Sequence, residues 1–151
     1  MPVLYEVLGN MIIKLVSGAL PQRATESSSG FDVALLEATT FDKPAGHVYL
    51  CRTGISLAVP RNIDCQLRAR SSLCKYGLLL ANGVGTIDSD YRGEILVPLV
   101  SWAGKPVALP AGARVAQLVF TYLVPAVRFV AIDKLDATSR GAGGFGHTGT
   151  K

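Results

Sequence analysis

Cysteine is scarce in this chain and charge is thin. The three cysteines, Cys51, Cys65 and Cys74, are odd in number and show no C-x-x-C spacing. That excludes a disulfide framework and argues against a zinc site, so three reduced thiols, most of them buried, are expected. Charged residues make up 17% of the 151 residues, against 49% hydrophobic. So little charge suggests surface hidden between subunits, although a fully apolar interior gives the same figure. The formal charge of +4 is scattered, with no run of Lys and Arg. The basic stripe of a nucleic-acid binder is therefore missing, and no such partner is expected. Residues 1–20 are apolar in places, but Glu6 and Lys14 interrupt them and no basic segment leads in. A signal peptide or membrane span is not expected, and a cytoplasmic home follows by default. Internal repeats, charge blocks and linkers are also missing. A chain of this size makes one domain and can build a core without disulfides.

What is present is strand-like periodicity. Short apolar or alternating runs cover residues 11–16, 31–36, 47–53, 55–59, 64–69, 93–100, 114–124 and 127–132. Turn signals punctuate them at Pro44-Ala45-Gly46, Pro60-Arg61-Asn62, Ala103-Gly104-Lys105-Pro106 and Pro110-Ala111-Gly112. Many short strands predict an all-β sandwich, barrel or jelly roll. One short helix is predicted over residues 71–76, with Ser71 or Ser72 as its cap and Gly77 as its end.

The last stretch, residues 139–151, is rich in Gly, Ser and Thr with one aromatic, Phe145. Gly141, Gly143 and Gly146 fit G-x-G-x-x-G, and residues 141–148 nearly fit a phosphate-binding P-loop with His147 in the lysine position. Both patterns need a strand before and a helix after, and neither is predicted here. The shared physics remains: glycines let backbone N–H groups approach phosphate, while Arg140 and Thr148 add a charge and a hydroxyl. The segment reads as a disordered tail or as a lid over a nucleotide.

Three further segments carry candidate chemistry. Residues 82–93 place Gly83 and Gly85 among apolar residues, which predicts a hairpin, followed by Asp88 and Tyr91. That is a pocket for a base, a sugar and a water, or an ordinary turn in which Asp88 and Asp90 bond the backbone. Ala69-Arg70-Ser71-Ser72-Leu73 sets an arginine and two hydroxyls at the predicted helix start, as a phosphate site or a serine cap. Arg114-Val115-Ala116-Gln117-Leu118 alternates like an edge strand with polar side chains outward.

In order and with the usual gaps, five segments resemble the motifs of the trimeric dUTPase family. They are Ser29-Gly30-Phe31-Asp32-Val33, Arg70-Ser71-Ser72-Leu73, the run from Gly85 to Gly93, the run from Gly112 to Leu118, and the run from Arg140 to Gly149. Ser29 stands where relatives usually have Ala. The resemblance implies a distorted jelly roll, or β-clip barrel, with one short helix and a mobile C-terminal arm. Residues 1–10 would be an N-terminal extension, 11–138 the barrel and 139–151 the arm. It implies a homotrimer with active sites shared between subunits. The activity implied is hydrolysis of dUTP to dUMP and pyrophosphate, which limits uracil in DNA and supplies dUMP for dTMP synthesis.

The same resemblance implies roles for individual residues. Asp88 would orient the water that attacks the α-phosphorus and hold the sugar 3′-hydroxyl. Tyr91 would pack under the deoxyribose and leave no room for a 2′-hydroxyl. Asn82, Gly83, Thr86 and Ile87 would pair with uracil's polar edge, with Leu96 on the neighbouring strand. Arg70, Ser71, Ser72 and Gln117 would hold the phosphates, and Arg140 and Thr148 would clasp the γ-phosphate. Phe145 would stack on the base beside Gly146. Asp32 and the triphosphate would share Mg²⁺ through waters. The nearest rival is dCTP deaminase, which resembles this family in fold. However, Pro98 stands at about the place of its catalytic glutamate, and deaminases lack the Gly-rich arm. A binding module without catalysis is a second rival, disfavoured because Asp88 and the arm are both present.

Overall fold

A computed structural model describes residues 13–16, 19–124, 127–145 and 149. Its strands are β1 (Lys14–Val16), β2 (Phe31–Ala34), β3 (Thr39–Phe41), β4 (Val48–Arg52), β5 (Ser56–Ala58) and β6 (Ile63–Ala69). They continue with β7 (Leu78–Leu80), β8 (Gly85–Ile87), β9 (Leu96–Ser101), β10 (Val107–Leu109) and β11 (Arg114–Tyr122). All their pairings are antiparallel. One sheet runs β2-β11-β6-β8 and another β4-β9-β7, and the pairs β1-β5 and β10-β3 complete the set.

Alternation explains the strands that carry the core. In β6, Ile63, Cys65 and Leu67 turn inward, and in β9 Val97 and Leu99 do the same. One buried cluster draws on both larger sheets: Val33, Leu67 and Leu118 from one, Cys51, Leu78 and Leu99 from the other. Pro98 sits inside the central strand β9, an unusual place for a residue without an N–H. It is tolerated because β7 has just ended at that level; the Pro98 carbonyl takes the Ala81 N–H instead, at 2.8 Å.

The short helix forms at Ser71–Tyr76, as a 3₁₀ helix. It ends at Gly77, whose φ of +68° and N–H bond to the Cys74 carbonyl close the turn. The serine cap is not made. Arg70 occupies the cap position in extended conformation and no side chain bonds the helix start, so both serine hydroxyls are spared from capping.

One strand expectation is corrected. Residues 127–132, predicted as a strand, pair with nothing among the described residues, and Phe129 is 95% exposed. Alternation marks a segment that suits a sheet, but a strand also needs a partner, and among the described residues this segment has none. The thiols are mostly buried, as expected: Cys51 and Cys65 are buried while Cys74 is exposed. Burial, with a smaller effect of the Asp64 charge, pushes the Cys65 thiol up to about 12. The strands β3, β7, β8 and β10 were not predicted as such. Each is three residues long, too short for alternation to register. Of the predicted strand over 11–16, the first two residues lie outside the described residues, as do the N-terminal extension, Gly146, His147 and Thr148.

Candidate active site

The turn after β7 makes the first half of the site. Ala81 and Asn82 leave β7, and Gly83 takes a φ of +68°, a conformation glycine reaches without strain. The Gly83 N–H then bonds the Leu80 carbonyl at 3.1 Å. The chain returns as β8, but β8 pairs with β6 whereas β7 pairs with β9. The two arms of the predicted hairpin therefore belong to different sheets. Beside the turn, between β8 and β9, opens a cleft of about 270 Å³ whose lining includes Asn82, Thr86, Ile87, Asp88, Tyr91 and Leu96. Six residues singled out from the sequence thus meet in one place. Gly83 forms the turn beside the cleft without lining it.

A second network holds the far wall. The Tyr91 N–H bonds the Asp88 carbonyl at 3.1 Å, which closes the loop between them. The Tyr91 hydroxyl donates to the Glu94 carbonyl at 2.9 Å. A Cβ at Gly93 would strike the Tyr91 ring, so glycine there lets the ring lie close. The Glu94 carboxylate accepts the Gly54 N–H at 2.8 Å and the Thr53 N–H at 3.1 Å, and pairs with Arg52 at 3.1 Å. The Gly54 bond foremost, then those of Arg52 and Thr53, hold the Glu94 carboxyl below the usual carboxylate range, against an opposing effect of burial. A depressed folded pKa stabilises the fold above the unfolded value of about 4.3, and that contribution is lost as pH falls through the folded pKa. Thermal melts of wild type and Glu94→Gln should therefore differ most near neutral pH and converge on acidification below about pH 4.

The predicted phosphate residues gather elsewhere. Arg70 Nε pairs with Asp32 Oδ1 at 2.9 Å, and Arg114 Nη1 approaches Asp32 Oδ2 at 3.3 Å. Arg70 Nη1 also donates to the Arg114 carbonyl at 2.8 Å. The Asp32 side chain is only 8% exposed. Its Oδ2 is the one buried side-chain oxygen or nitrogen among the described residues without a hydrogen bond, because the Arg114 contact is ionic and poorly aligned. Gln117 donates from Nε2 to the Ala69 carbonyl at 3.0 Å, and its side chain fills the space a Cβ at Gly30 would need. Motifs far apart in sequence (residues 30–32, 69–72 and 114–117) are thus knitted together at the adjoining ends of β2, β11 and β6. None of Arg70, Ser71, Ser72 and Gln117 lines the cleft that holds Asp88. Within a single chain the two groups of candidate residues lie apart.

The described residues of the arm bond with neither group. Hydrogen bonds within residues 138–143 are local: the Gly141 N–H to the Thr138 carbonyl at 3.1 Å, the Gly143 N–H to the Arg140 carbonyl at 3.1 Å, and Arg140 Nε to the Gly143 carbonyl at 3.0 Å. Phe145, at a φ of 47°, is fully exposed. Among the described residues no cluster of three His, Cys, Asp or Glu could hold a metal.

Comparison with known proteins decides the family. The sequence profile of the family described as dUTPase matches residues 17–149. The chain belongs to the dUTPase family. It is 45% identical over 133 residues to the deoxyuridine 5′-triphosphate nucleotidohydrolase of Desulfotalea psychrophila, covering 87% of each chain. The Rickettsia felis protein of the same name is 40% identical over 134 residues, 88% of this chain and 90% of that one. The solved dUTPase of Streptococcus mutans is 32% identical, with a TM-score of 0.66 over 81% of this chain and 98% of its own. The dUTPase of Staphylococcus bacteriophage 80alpha, solved with dUPNHPP, shares the fold at a TM-score of 0.78, with 19% identity over 94% of this chain and 99% of that one.

Sequence reasoning missed Glu94 and the Asp32 clamp on two arginines. Glu94 follows the dUTPase motif directly, but nothing local reveals that its carboxylate reaches back some forty residues to Thr53 and Gly54. A larger apolar cavity of about 430 Å³, walled by Leu15, Phe31, Leu57, Leu118 and Phe120, contains no predicted site residue.

Proposed function

We propose that this protein is a dUTP diphosphatase, a hydrolase of acid anhydrides that converts dUTP and water to dUMP and pyrophosphate. The carrying observation is the cleft between β8 and β9, where Asp88 and Tyr91 stand beside exposed turn backbone. Uracil pairs with the backbone and side chain between Asn82 and Ile87. Cytosine would leave buried polar groups unmatched there, a penalty reaching roughly 10⁴–10⁵-fold where such pairing sets selectivity. Tyr91 packs under the deoxyribose. Asp88 accepts a hydrogen bond from a water and aims it at the α-phosphorus; as the new P–O bond forms, the bond to the α–β bridging oxygen breaks and pyrophosphate leaves. Such transfer demands positioning and charge neutralisation more than covalent help.

Arg70, Ser71, Ser72 and Gln117 hold the phosphates, with Ser71 near the α–β bridge. Asp32 keeps Arg70 and Arg114 in place for that charge. Because these residues lie apart from the Asp88 cleft within one chain, a complete site needs a neighbour. We infer a homotrimer, each site combining the phosphate group of one subunit, the cleft of a second and the arm of a third. Arg140 and Thr148 clasp the γ-phosphate, and Phe145 with Gly146 closes over the base. The exposed apolar side chains of Val127, Phe129, Val130, Ile132 and Leu135 suit packing on another subunit.

Mg²⁺ is the implied metal. It prefers substrate phosphates and its own waters to a protein cage, which agrees with a site offering one carboxylate. Asp32 Oδ2, buried and without a hydrogen bond, is the protein oxygen a metal-bound water would meet. The ion would supply charge neutralisation on the triphosphate. No helix among the described residues is long and apolar enough to cross a membrane. Three unpaired thiols suit a reducing, cytoplasmic setting.

The rival deaminase reading needs a catalytic glutamate on the strand after the motif, and Pro98 stands at that place. The other carboxylate near the cleft, Glu94, is engaged by Arg52, Thr53 and Gly54. Pyrophosphate and ammonia release should be followed across the deoxynucleoside triphosphates, with and without Mg²⁺. Pyrophosphate from dUTP alone, dependent on Mg²⁺, is expected; ammonia from dCTP would overturn the reading.

A further inference from the structure

Glu94 takes no part in the roles above, yet it joins the sugar end of the cleft to the body of the protein. Its Oε1 receives both the Gly54 and Thr53 N–H groups, and Arg52 Nε reaches both carboxylate oxygens at 3.3 and 3.1 Å. One residue on, the Ile95 N–H bonds the Ile55 carbonyl at 2.8 Å and the Thr53 hydroxyl bonds the Ile95 carbonyl at 2.7 Å. Thr53 is buried at 3% exposure, and its hydroxyl also accepts the Ile55 N–H. Residues 94 and 95 are therefore fixed to residues 53–55 through side chain and main chain alike. The carbonyl of this fixed Glu94 is the acceptor for the Tyr91 hydroxyl at 2.9 Å. The ring, 44% exposed as a residue, is held at both ends: by its own Cβ and by its oxygen.

We infer that Glu94 is the positioning residue that makes Tyr91 a rigid wall and so sets the preference for deoxyribose over ribose. This rests on the reading of Tyr91 as the surface under the sugar. A wall excludes a 2′-hydroxyl only if it cannot yield by an ångström or so. An aromatic ring pivoting at one end yields easily, whereas one tethered at its far end to an immobile carbonyl does not. The bond also occupies the phenol oxygen, so it is not free to greet a 2′-hydroxyl as a hydrogen-bond partner. Selectivity then depends on the Glu94 clamp, although its carboxylate points away from the ring.

The test compares kcat and KM for dUTP and UTP, by pyrophosphate release, in wild type, Glu94→Ala, Glu94→Gln, Tyr91→Phe and Tyr91→Ala. Glu94→Ala frees the clamp. Glu94→Gln keeps an oxygen for both backbone N–H groups. Tyr91→Phe removes only the bond to Glu94, and so serves if the alanine variant fails to fold. The dUTP-to-UTP ratio of kcat/KM should fall about tenfold in Glu94→Ala and Tyr91→Phe, the worth of one well-made hydrogen bond. Glu94→Gln should stay within about threefold of wild type. Equal losses on both nucleotides, an unchanged ratio in Tyr91→Phe, or a Gln variant as poor as Ala would overturn the inference. If Tyr91→Ala itself leaves the ratio untouched, the fault lies in the underlying placement of Tyr91 against the sugar.

Discussion

Replacing Asp88 with Asn should leave the nucleotide bound while dUTP turnover falls by about 10²–10⁴-fold, the usual worth of one well-placed carboxylate acting on a water. The substitution keeps the shape of the side chain and both hydrogen-bonding positions, but one becomes a donor and the charge disappears. An amide can still meet the sugar 3′-hydroxyl, so binding measured by calorimetry with a non-hydrolysable dUTP analogue should change little. What is lost is the acceptor that turns the water's lone pair toward phosphorus. Asp88 is exposed in the cleft and no side-chain bond to it is made among the described residues, so their packing does not depend on it. A variant that turns over dUTP at close to the wild-type rate would remove Asp88 from the reaction.

Ending the chain after Ser139 should give a folded, oligomeric protein with dUTP hydrolysis reduced on the order of 10²-fold or more. Stability is spared because the arm's hydrogen bonds within 138–143 are to itself and Phe145 touches no core. Activity suffers for two reasons. Arg140 and Thr148 no longer meet the γ-phosphate, and the site stays open to water, which weakens each charged contact on the triphosphate. Size-exclusion chromatography with a coupled pyrophosphate assay separates the outcomes. Full activity in the shortened chain would reduce the Gly-rich segment to a passive tail, and a collapse of the oligomer would give it a structural role instead.

The sequence was most readable where chemistry and periodicity are local. Alternating Ile63, Cys65 and Leu67 give β6, and the turn at Asn82-Gly83 needs its glycine, so both could be foreseen. The grouping of Asn82, Thr86, Asp88 and Tyr91 follows from adjacency in the chain. What stayed hidden depends on distant partners. Three-residue strands such as β8 exist only because β6 offers them an edge. Residues 127–132 mislead for the opposite reason, since they carry the pattern of a strand without a partner among the described residues. The clamp of Asp32 on Arg70 and Arg114, and the reach of Glu94 to Gly54, join positions some forty residues or more apart. No local pattern announces such pairs.

Two walls of the nucleotide cleft, Leu67 and Ile95, are also among the most deeply buried side chains of the protein, each at 1% exposure. Because β8 and β9 belong to separate sheets, the gap between them is set by how tightly those sheets interlock, and interiors adjust poorly to added or missing methylenes. Changes made deep inside for the sake of robustness would thus alter which nucleobase is admitted. Substitutions at Leu67 or Ile95 therefore bear on the packing of the core and on the shape of the cleft at once.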